Sequence, residues 1–282
     1  MRISIGSNTR MTTNDRMKTP AADTDWLPEI INPEGRFPCM IVCDHASSRV
    51  PGAYDNLGLD PADLEKHVGV DIGIADVVRE LARLLDAPAV LSPTSRLLVD
   101  CNRWIEDSRC FLTESDGIVI PGNQDLNAAD REERLEAYFW PYHGEVHRVL
   151  AGLVERVGHP LFLSLHSCTR QLGGGPFRDM DGGTIWHENR VFSDALIAQL
   201  SKEAGLVIGD NAPYSGIGGT FSIDYHTWGS GLPACGLEIV NDLLLTPQGR
   251  SLWAERLARA VKAIVQQSMT PAELPAHESV SL

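Results

Sequence analysis

The chain has 282 residues, 43% of them hydrophobic, and a net charge of −14 at pH 7. The acidic balance argues against nucleic acid or an anionic membrane as the main partner. No apolar run approaches the roughly 18 to 20 residues that a membrane span needs, and the polar start of the chain lacks the apolar core of a signal peptide. We therefore predict a cytoplasmic protein.

The chain shows no linker-like or highly charged stretch that would divide it into separate domains. We predict a flexible N-terminal arm over residues 1–25, a single domain over residues 26–270 and a flexible C-terminal tail over residues 271–282. A domain of this length is large enough to bury a sizeable core.

Short apolar runs predict buried strands, and the stretches between them have apolar residues at helical spacing. The predicted strands are Cys39 to Cys43, Ala89 to Leu91, Leu97 to Val99, the run that ends at His166, and Leu237 to Val240. The predicted helices begin at Asp60-Pro61 and at Asp71, cover Asp130 to Val157 with a break at Pro141, cover Asn189 to Ala204, and begin again at Thr246-Pro247. The predicted loops are Trp26 to Phe37, Gly173 to Gly183 and Asn211 to Thr220. Helices that alternate with strands indicate an α/β sandwich.

Polar residues stand at the ends of three predicted strands. Asp44-His45 follows the first strand, Asp100 to Arg103 follows the third, and His166 ends the fourth. Ligands of open α/β sheets bind beyond the carboxyl ends of the strands. The pattern therefore predicts one shared site, and the two histidines indicate a zinc centre.

His45 and His166 are the strongest candidate ligands, because catalytic zinc sites use neutral imidazole together with an open position for water. Each histidine is equally compatible with simple capping of a strand end. Asp71 is the candidate third ligand, although an N-cap aspartate explains it as well. Asp44 is placed to orient a histidine rather than to bind the metal itself. The six cysteines form no C-x-x-C pair, which argues against a thiolate zinc site.

Glu238 lies among apolar residues of the last strand, where a carboxylate is costly to bury unless it is paired or functional. Its functional role is that of a general base toward water, and the alternative is a buried salt bridge. Arg96 and the pair Asn102-Arg103 are candidates for binding a carboxylate, because the guanidinium fork matches it with two hydrogen bonds. Structural ion pairs explain these arginines as well. His226 fits either the site or a loop.

Seven segments, taken together in their order and spacing, resemble the N-formylglutamate amidohydrolase family. They are Asp44-His45-Ala46-Ser47, His67 to Asp71, Ser95-Arg96 with Asp100 to Arg103, Trp140 to His143, Ser164 to Ser167, Asp210 to Tyr214, and Leu237 to Ile239. They span roughly residues 38 to 245, which is most of the chain.

The resemblance implies a zinc-carboxypeptidase-like fold: a three-layer α/β sandwich with a mixed central sheet flanked by helices. It also implies one Zn²⁺ per chain and a small anionic N-acyl amino acid substrate, such as N-formylglutamate, cleaved to formate and the amino acid. By position, it implies metal binding by His45 and His166 and catalysis by Glu238, and we predict Asp71 as the acidic metal ligand. The residues predicted to contact the substrate are Arg103, Asn102, Arg96, Asn211 and His226.

One departure concerns the acidic ligand. Zinc carboxypeptidases have a glutamate three residues after the first histidine, where this chain has Ser48, so Asp71 takes that role in our prediction. Two other classes stay open: a metal-free hydrolase that uses Cys168 or Ser167 as nucleophile, and a noncatalytic protein that binds small acids on the same scaffold.

Overall fold

A computed structural model describes residues 24–269 of the chain, and the predicted terminal segments 1–25 and 271–282 lie outside this range apart from residues 24 and 25. The strands of the main sheet are β1 (Glu29–Ile31), β2 (Cys39–Cys43), β3 (Ala89–Leu91), β6 (Leu161–Cys168), β7 (Gly182–Ile185), β8 (Ile208–Gly209) and β9 (Ala234–Val240). A separate hairpin consists of β4 (Glu114–Ser115) and β5 (Ile118–Val119).

The main sheet has the strand order β1-β3-β2-β6-β9-β7-β8. Strands β3, β2, β6 and β9 are parallel to one another, whereas β1 pairs with β3, and β7 with β9, in antiparallel orientation. The sheet is therefore mixed, as predicted. Its parallel centre brings the carboxyl ends of β2, β6 and β9 to one edge.

Helices cover both faces of this sheet. They are α1 (Pro61–Leu64), α2 (Ile74–Leu85), α3 (Ala128–Arg134), α4 (Trp140–Val157), α5 (Val191–Leu200), α6 (Phe221–Thr227) and α7 (Pro247–Met269). Side chains of α2, α5 and α7 pack in one core, and side chains of α4 and α6 pack in the core on the opposite face. This confirms the predicted three-layer α/β sandwich.

The alternation of side chains along β6 decides which face carries the polar chemistry. All eight residues of this strand are buried. Leu163 and Leu165 pack in the core with α2, α5 and α7, whereas Phe162 packs in the core with α4 and α6. Since successive side chains of a strand point to opposite faces, His166 lies on the same face as Phe162. In β9 the same rule places Glu238 on that face, opposite to Leu237.

Two predicted elements are wrong. The run Leu97–Val99 is buried as expected but forms turns, with the Leu98 amide donating to the Ser95 carbonyl at 3.0 Å. Its apolar side chains fill the space between neighbouring segments, so burial alone does not imply pairing in a sheet. The predicted loop from Trp26 to Phe37 contains β1, which adds an antiparallel edge to β3.

Two predicted helix boundaries also differ. The second helix begins at Ile74 after Gly73, whose φ of 76° suits a glycine. Asp71 is therefore not an N-cap residue. The long helix changes geometry at a π-helical turn over Leu135–Phe139, which ends two residues before Pro141 in the first turn of α4. None of the helices in the described residues is sufficiently long and apolar to cross a bilayer.

Candidate active site

The central strands bring a histidine and a glutamate side by side. His166 of β6 and Glu238 of β9 are direct partners in the parallel register, so their side chains lie on the same face at neighbouring positions. His45 follows the end of β2, the other neighbour of β6. The strand register therefore assembles residues that are far apart in the sequence.

Three buried side chains converge on one point. The Nδ1 atoms of His45 and His166 are 3.2 Å apart. Asp71 Oδ2 lies 3.4 Å from His45 Nδ1 and 3.0 Å from His166 Nδ1. A tetrahedral zinc ion with bonds of about 2.0 to 2.1 Å holds its donor atoms about 3.3 Å apart. The three donor atoms thus have the mutual spacing that such an ion needs.

The opposite nitrogen of each imidazole faces a carboxylate. His45 Nε2 lies 2.7 Å from Asp100 Oδ1, and His166 Nε2 lies 3.2 Å from Asp44 Oδ2. A carboxylate at Nε2 favours the tautomer with its proton there, which leaves the lone pair of Nδ1 for a metal. Asp44 is itself held by hydroxyl donors, Tyr142 Oη at 2.9 Å and Ser222 Oγ at 2.6 Å.

Arg96 connects the two acidic residues around His45. It donates from Nη1 to Asp71 Oδ1 at 3.2 Å and from Nη2 to Asp100 Oδ2 at 3.1 Å. Three buried carboxylates, those of Asp44, Asp71 and Asp100, therefore surround two imidazoles and one guanidinium. When both imidazoles are neutral, these groups have a net negative charge, which fits a bound cation.

The pKa shifts follow from this crowding. Burial disfavours charge on Asp71, but the adjacent His45, His166 and Arg96 outweigh it and hold its pKa well below the usual range. Burial is likewise outweighed at Asp44, where His166 and Ser222 bring the pKa to about 2. Burial would lower the pKa of His166, yet hydrogen bonds to Asp44 and Asp71 raise it well above the ordinary value. The carboxylates thus favour positive charge at the position where a metal would bind.

Glu238 differs from Asp44, Asp71 and Asp100, because an oxygen of its carboxylate lacks a hydrogen-bond partner. Its Oε2 atom is buried without a hydrogen-bond partner among the described residues. Burial raises the pKa of Glu238, with Asp71 adding to the effect and His166 opposing it. A carboxylate without a structural partner, next to the three convergent donors, is suited to exchange protons with a ligand.

These residues line one cavity of about 360 Å³. Most of the predicted site residues border it, namely His45, Asp71, Arg96, Asn102, Arg103, His166 and Glu238. Arg103 has its Nε 3.9 Å from Asp100 Oδ2, and 35% of its side chain is exposed. Its guanidinium is therefore available to a ligand, whereas Arg96 is engaged by two carboxylates. Contact of Arg96 with substrate stays a prediction.

Asn211 and His226 do not border this cavity. Asn211 accepts from the amides of Trp186 and Gly216 at 3.2 and 2.8 Å, so it supports the loop whose Tyr214 and Ser215 reach the cavity wall. His226 packs behind the site, with Nε2 3.0 Å from His143 Nδ1. The geometry gives no support to substrate contact by either residue, because each side chain is used within the fold.

Three supporting residues lack a role in the sequence-based prediction: Asp100, Tyr142 and Ser222. The sequence could have indicated a role for Asp100, because this residue directly follows an apolar run and precedes Asn102-Arg103. Tyr142 and Ser222 reach Asp44 from α4 and α6, and only the packing of these helices on the sheet reveals the contact. The sequence predicts that Asp44 orients a histidine, and Asp44 lies 3.2 Å from His166 Nε2.

The alternative nucleophiles, Cys168 and Ser167, border the cavity but are not activated for attack. Burial raises the pKa of the Cys168 thiol to about 12, so the reactive thiolate is disfavoured. Ser167 Oγ donates to the Ile72 carbonyl at 3.0 Å, and its backbone amide donates to Asp71 Oδ2 at 3.2 Å. These contacts argue against a metal-free cysteine or serine hydrolase.

Comparison with known proteins agrees with the family resemblance that the sequence motifs indicate. The model of a family described as N-formylglutamate amidohydrolase matches residues 37–245. A curated N-formylglutamate deformylase of Pseudomonas putida is 24% identical over 257 residues, which cover 83% of this chain and 91% of that protein.

Two solved structures are similar to the fold. A gene product from Agrobacterium tumefaciens is 28% identical with a TM-score of 0.81, and the match covers 86% of this chain and 96% of that one. The N-formylglutamate amidohydrolase from Ralstonia eutropha is 17% identical with a TM-score of 0.67, and the match covers 86% of this chain and 98% of that one. The second likeness shows the fold alone.

Proposed function

Because the chain belongs to the N-formylglutamate amidohydrolase family, as the match over residues 37–245 shows, we propose that it hydrolyses the amide of an N-formyl or other N-acyl amino acid. N-formylglutamate is the representative substrate, with formate and glutamate as products. We also propose that the reaction needs one divalent metal ion per chain, Zn²⁺, held by His45, Asp71 and His166.

The single observation that carries this proposal is the convergence of these three ligands beside Glu238. Their donor atoms lie 3.0 to 3.4 Å from one another. Two neutral imidazoles with one carboxylate form a donor set that zinc uses in catalytic sites, where a further position stays open. When bound, the ion would supply Lewis-acid polarisation of the amide carbonyl and would favour deprotonation of water.

Glu238 moves the proton. Its unpartnered Oε2 atom accepts a proton from the water that attacks the acyl carbon. The same atom then returns this proton to the leaving nitrogen when the C–N bond breaks. The raised pKa of Glu238 suits both steps, because it brings the acid closer to the pH at which the group must accept and release a proton.

The polar side chains around the cavity hold the substrate and the histidines. Arg103 binds a substrate carboxylate with its exposed guanidinium fork, and Asn102 lies beside it, with Nδ2 3.3 Å from His166 Nε2. Asp100 and Asp44 keep His45 and His166 oriented. Arg96 keeps Asp71 and Asp100 charged and in place.

The test combines metal analysis with a substrate panel. Purified protein is expected to contain about one zinc per chain and to hydrolyse N-formyl amino acids, with activity lost on chelation and restored by Zn²⁺. The variants His45→Ala and His166→Ala should lose the metal, which is measured by elemental analysis independently of turnover. Full activity after thorough metal removal would contradict the proposal.

A further inference from the structure

Arg178 is a cation that contacts two residues of the cavity wall and forms no ion pair with an acidic residue in the described part of the chain. Among the residues that the structure describes, no carboxylate forms an ion pair with it, although the chain has 38 acidic residues. Its neighbour Arg170, by contrast, binds both Asp181 and Asp242. A half-buried guanidinium that is left unpaired in so acidic a protein is a candidate for binding an anionic ligand.

The contacts of Arg178 direct its charge toward the cavity. Nη1 donates to the Thr169 carbonyl at 2.7 Å, and Nη2 donates to Tyr214 Oη at 2.9 Å. The guanidinium also lies 4.8 Å from the centre of the Tyr214 ring. Thr169 and Tyr214 both border the cavity. The positive charge is therefore held directly behind its wall.

Tyr214 presents this charge to a ligand as a hydrogen-bond donor. Its oxygen accepts from Arg178, so its own proton is free to be donated elsewhere. Burial raises the pKa of Tyr214, and the nearby Glu238 adds to the effect, so the hydroxyl keeps its proton at neutral pH. A hydroxyl backed by a cation makes a strong, short hydrogen bond to a carboxylate.

The position of this pair complements that of Arg103. Arg103 belongs to the segment that follows β3, and Tyr214 belongs to the loop that follows β8. In the sheet order β3 and β8 stand on opposite sides of β6 and β9, which contribute His166 and Glu238. Two anion-binding groups thus flank the reacting centre, and a substrate with two carboxylates would contact both.

We propose that Tyr214 and Arg178 form a second carboxylate subsite, in which Tyr214 binds the side-chain carboxylate of the substrate and Arg178 positions and polarises the tyrosine hydroxyl. The cavity then selects N-acyl derivatives of acidic amino acids over neutral ones. This assignment rests on the proposed hydrolase function, in which Arg103 takes the α-carboxylate.

The test compares N-formyl-L-glutamate with N-formyl-L-glutamine, which has the same shape without the side-chain charge. Arg178→Met should raise KM for the glutamate substrate about 10- to 100-fold, the range expected for loss of a charge-assisted hydrogen bond, with kcat changed much less. Its kcat/KM for the glutamine substrate should stay within about threefold. Tyr214→Phe, which keeps the stacking ring, should show the same selective loss, and Arg178→Lys should recover part of it.

A matched control is Arg190→Gln. Arg190 is an exposed arginine that pairs with Asp194 and Asp210 and does not border the cavity, so neither substrate should be affected. Equal losses on both substrates in the Arg178 and Tyr214 variants, or no loss on the glutamate substrate, would overturn the subsite. If Arg178→Met fails to fold, Tyr214→Phe and Arg178→Lys decide the question.

Binding measured by calorimetry separates this inference from the proposed function. If the wild-type protein hydrolyses neither substrate but binds the glutamate compound better than the glutamine compound, and Arg178→Met removes that preference, the hydrolase proposal fails and the subsite stands. If hydrolysis occurs without any preference between the two compounds, the subsite fails and the hydrolase proposal stands.

Discussion

Asp100→Asn is the substitution that most sharply probes how the fold prepares the metal ligands. Asp100 accepts from His45 Nε2 at 2.7 Å and from Arg96 Nη2 at 3.1 Å. Asparagine keeps the shape of the side chain but removes its charge. Its NH₂ group is itself a donor, so it would repel the N–H group of His45 or Arg96 that it faced. His45 then loses the carboxylate that favours the Nε2 proton and leaves Nδ1 free for the ion.

Loss of such an outer carboxylate typically weakens metal binding by 10- to 100-fold, equivalent to about 1.4 to 2.7 kcal/mol. We expect this range for Asp100→Asn because the substitution directly affects only one of the three metal ligands, His45. It affects the position of Asp71 only through Arg96. The assay is competition for Zn²⁺ against a chelator of known affinity. Asp194→Asn is the matched control, since Asp194 is an exposed partner of Arg190, and it should bind zinc normally. Wild-type affinity in Asp100→Asn would refute the reasoning.

Three further predictions concern turnover, substrate binding and pH. Glu238→Gln should keep its zinc and lose about 10²- to 10⁴-fold in kcat, and nearly full activity would exclude Glu238 as the base. Arg103→Ala should raise KM for N-formyl amino acids about 10- to 100-fold, and an equal loss on an uncharged N-formyl amine would argue against anchoring. Burial lowers the pKa of His143 from 6.5 to about 4, so the unfolded chain binds this proton more readily. Stability should therefore fall as the pH drops from about 6.5 to about 4, by about 3 kcal/mol in total for this group. Urea denaturation at several pH values should show that the free energy of unfolding depends less on pH in His143→Gln than in the wild type. The same pH dependence in both proteins would contradict the lowered pKa of His143.

The sequence predicted the parts of the molecule that depend on local pattern. The strand Cys39–Cys43 and the helix start at Asp60-Pro61 agree with the structure, including the Asp60 side chain that accepts from the Ala62 amide. The alternation of side chains along a strand holds for β9 as well, since Leu237 packs in the core with α2, α5 and α7 whereas Glu238 borders the cavity on the other face. These features depend on side-chain periodicity and capping, which a single sequence contains.

Contacts between distant segments could not be predicted in the same way. Leu97–Val99 has the composition of a buried strand but pairs with no strand among the residues that the structure describes, and only the tertiary packing reveals this. The carboxylate beside His45 comes from a residue 55 positions later. The proposed role of Arg178 depends on which arginines form ion pairs with acidic residues, and these pairs are visible only in the folded structure. The likeness to zinc carboxypeptidases, the single domain over 26–270 and the cytoplasmic location stay predictions.

The central claim is that His45, Asp71 and His166 bind one divalent ion. It is tested most directly by anomalous diffraction at the zinc absorption edge from crystals of the purified protein. We predict one strong peak about 2.0 to 2.1 Å from both Nδ1 atoms and at a similar distance from Asp71 Oδ2. Zinc-saturated crystals without a peak among these three atoms, or with the ion bound elsewhere, would contradict the account.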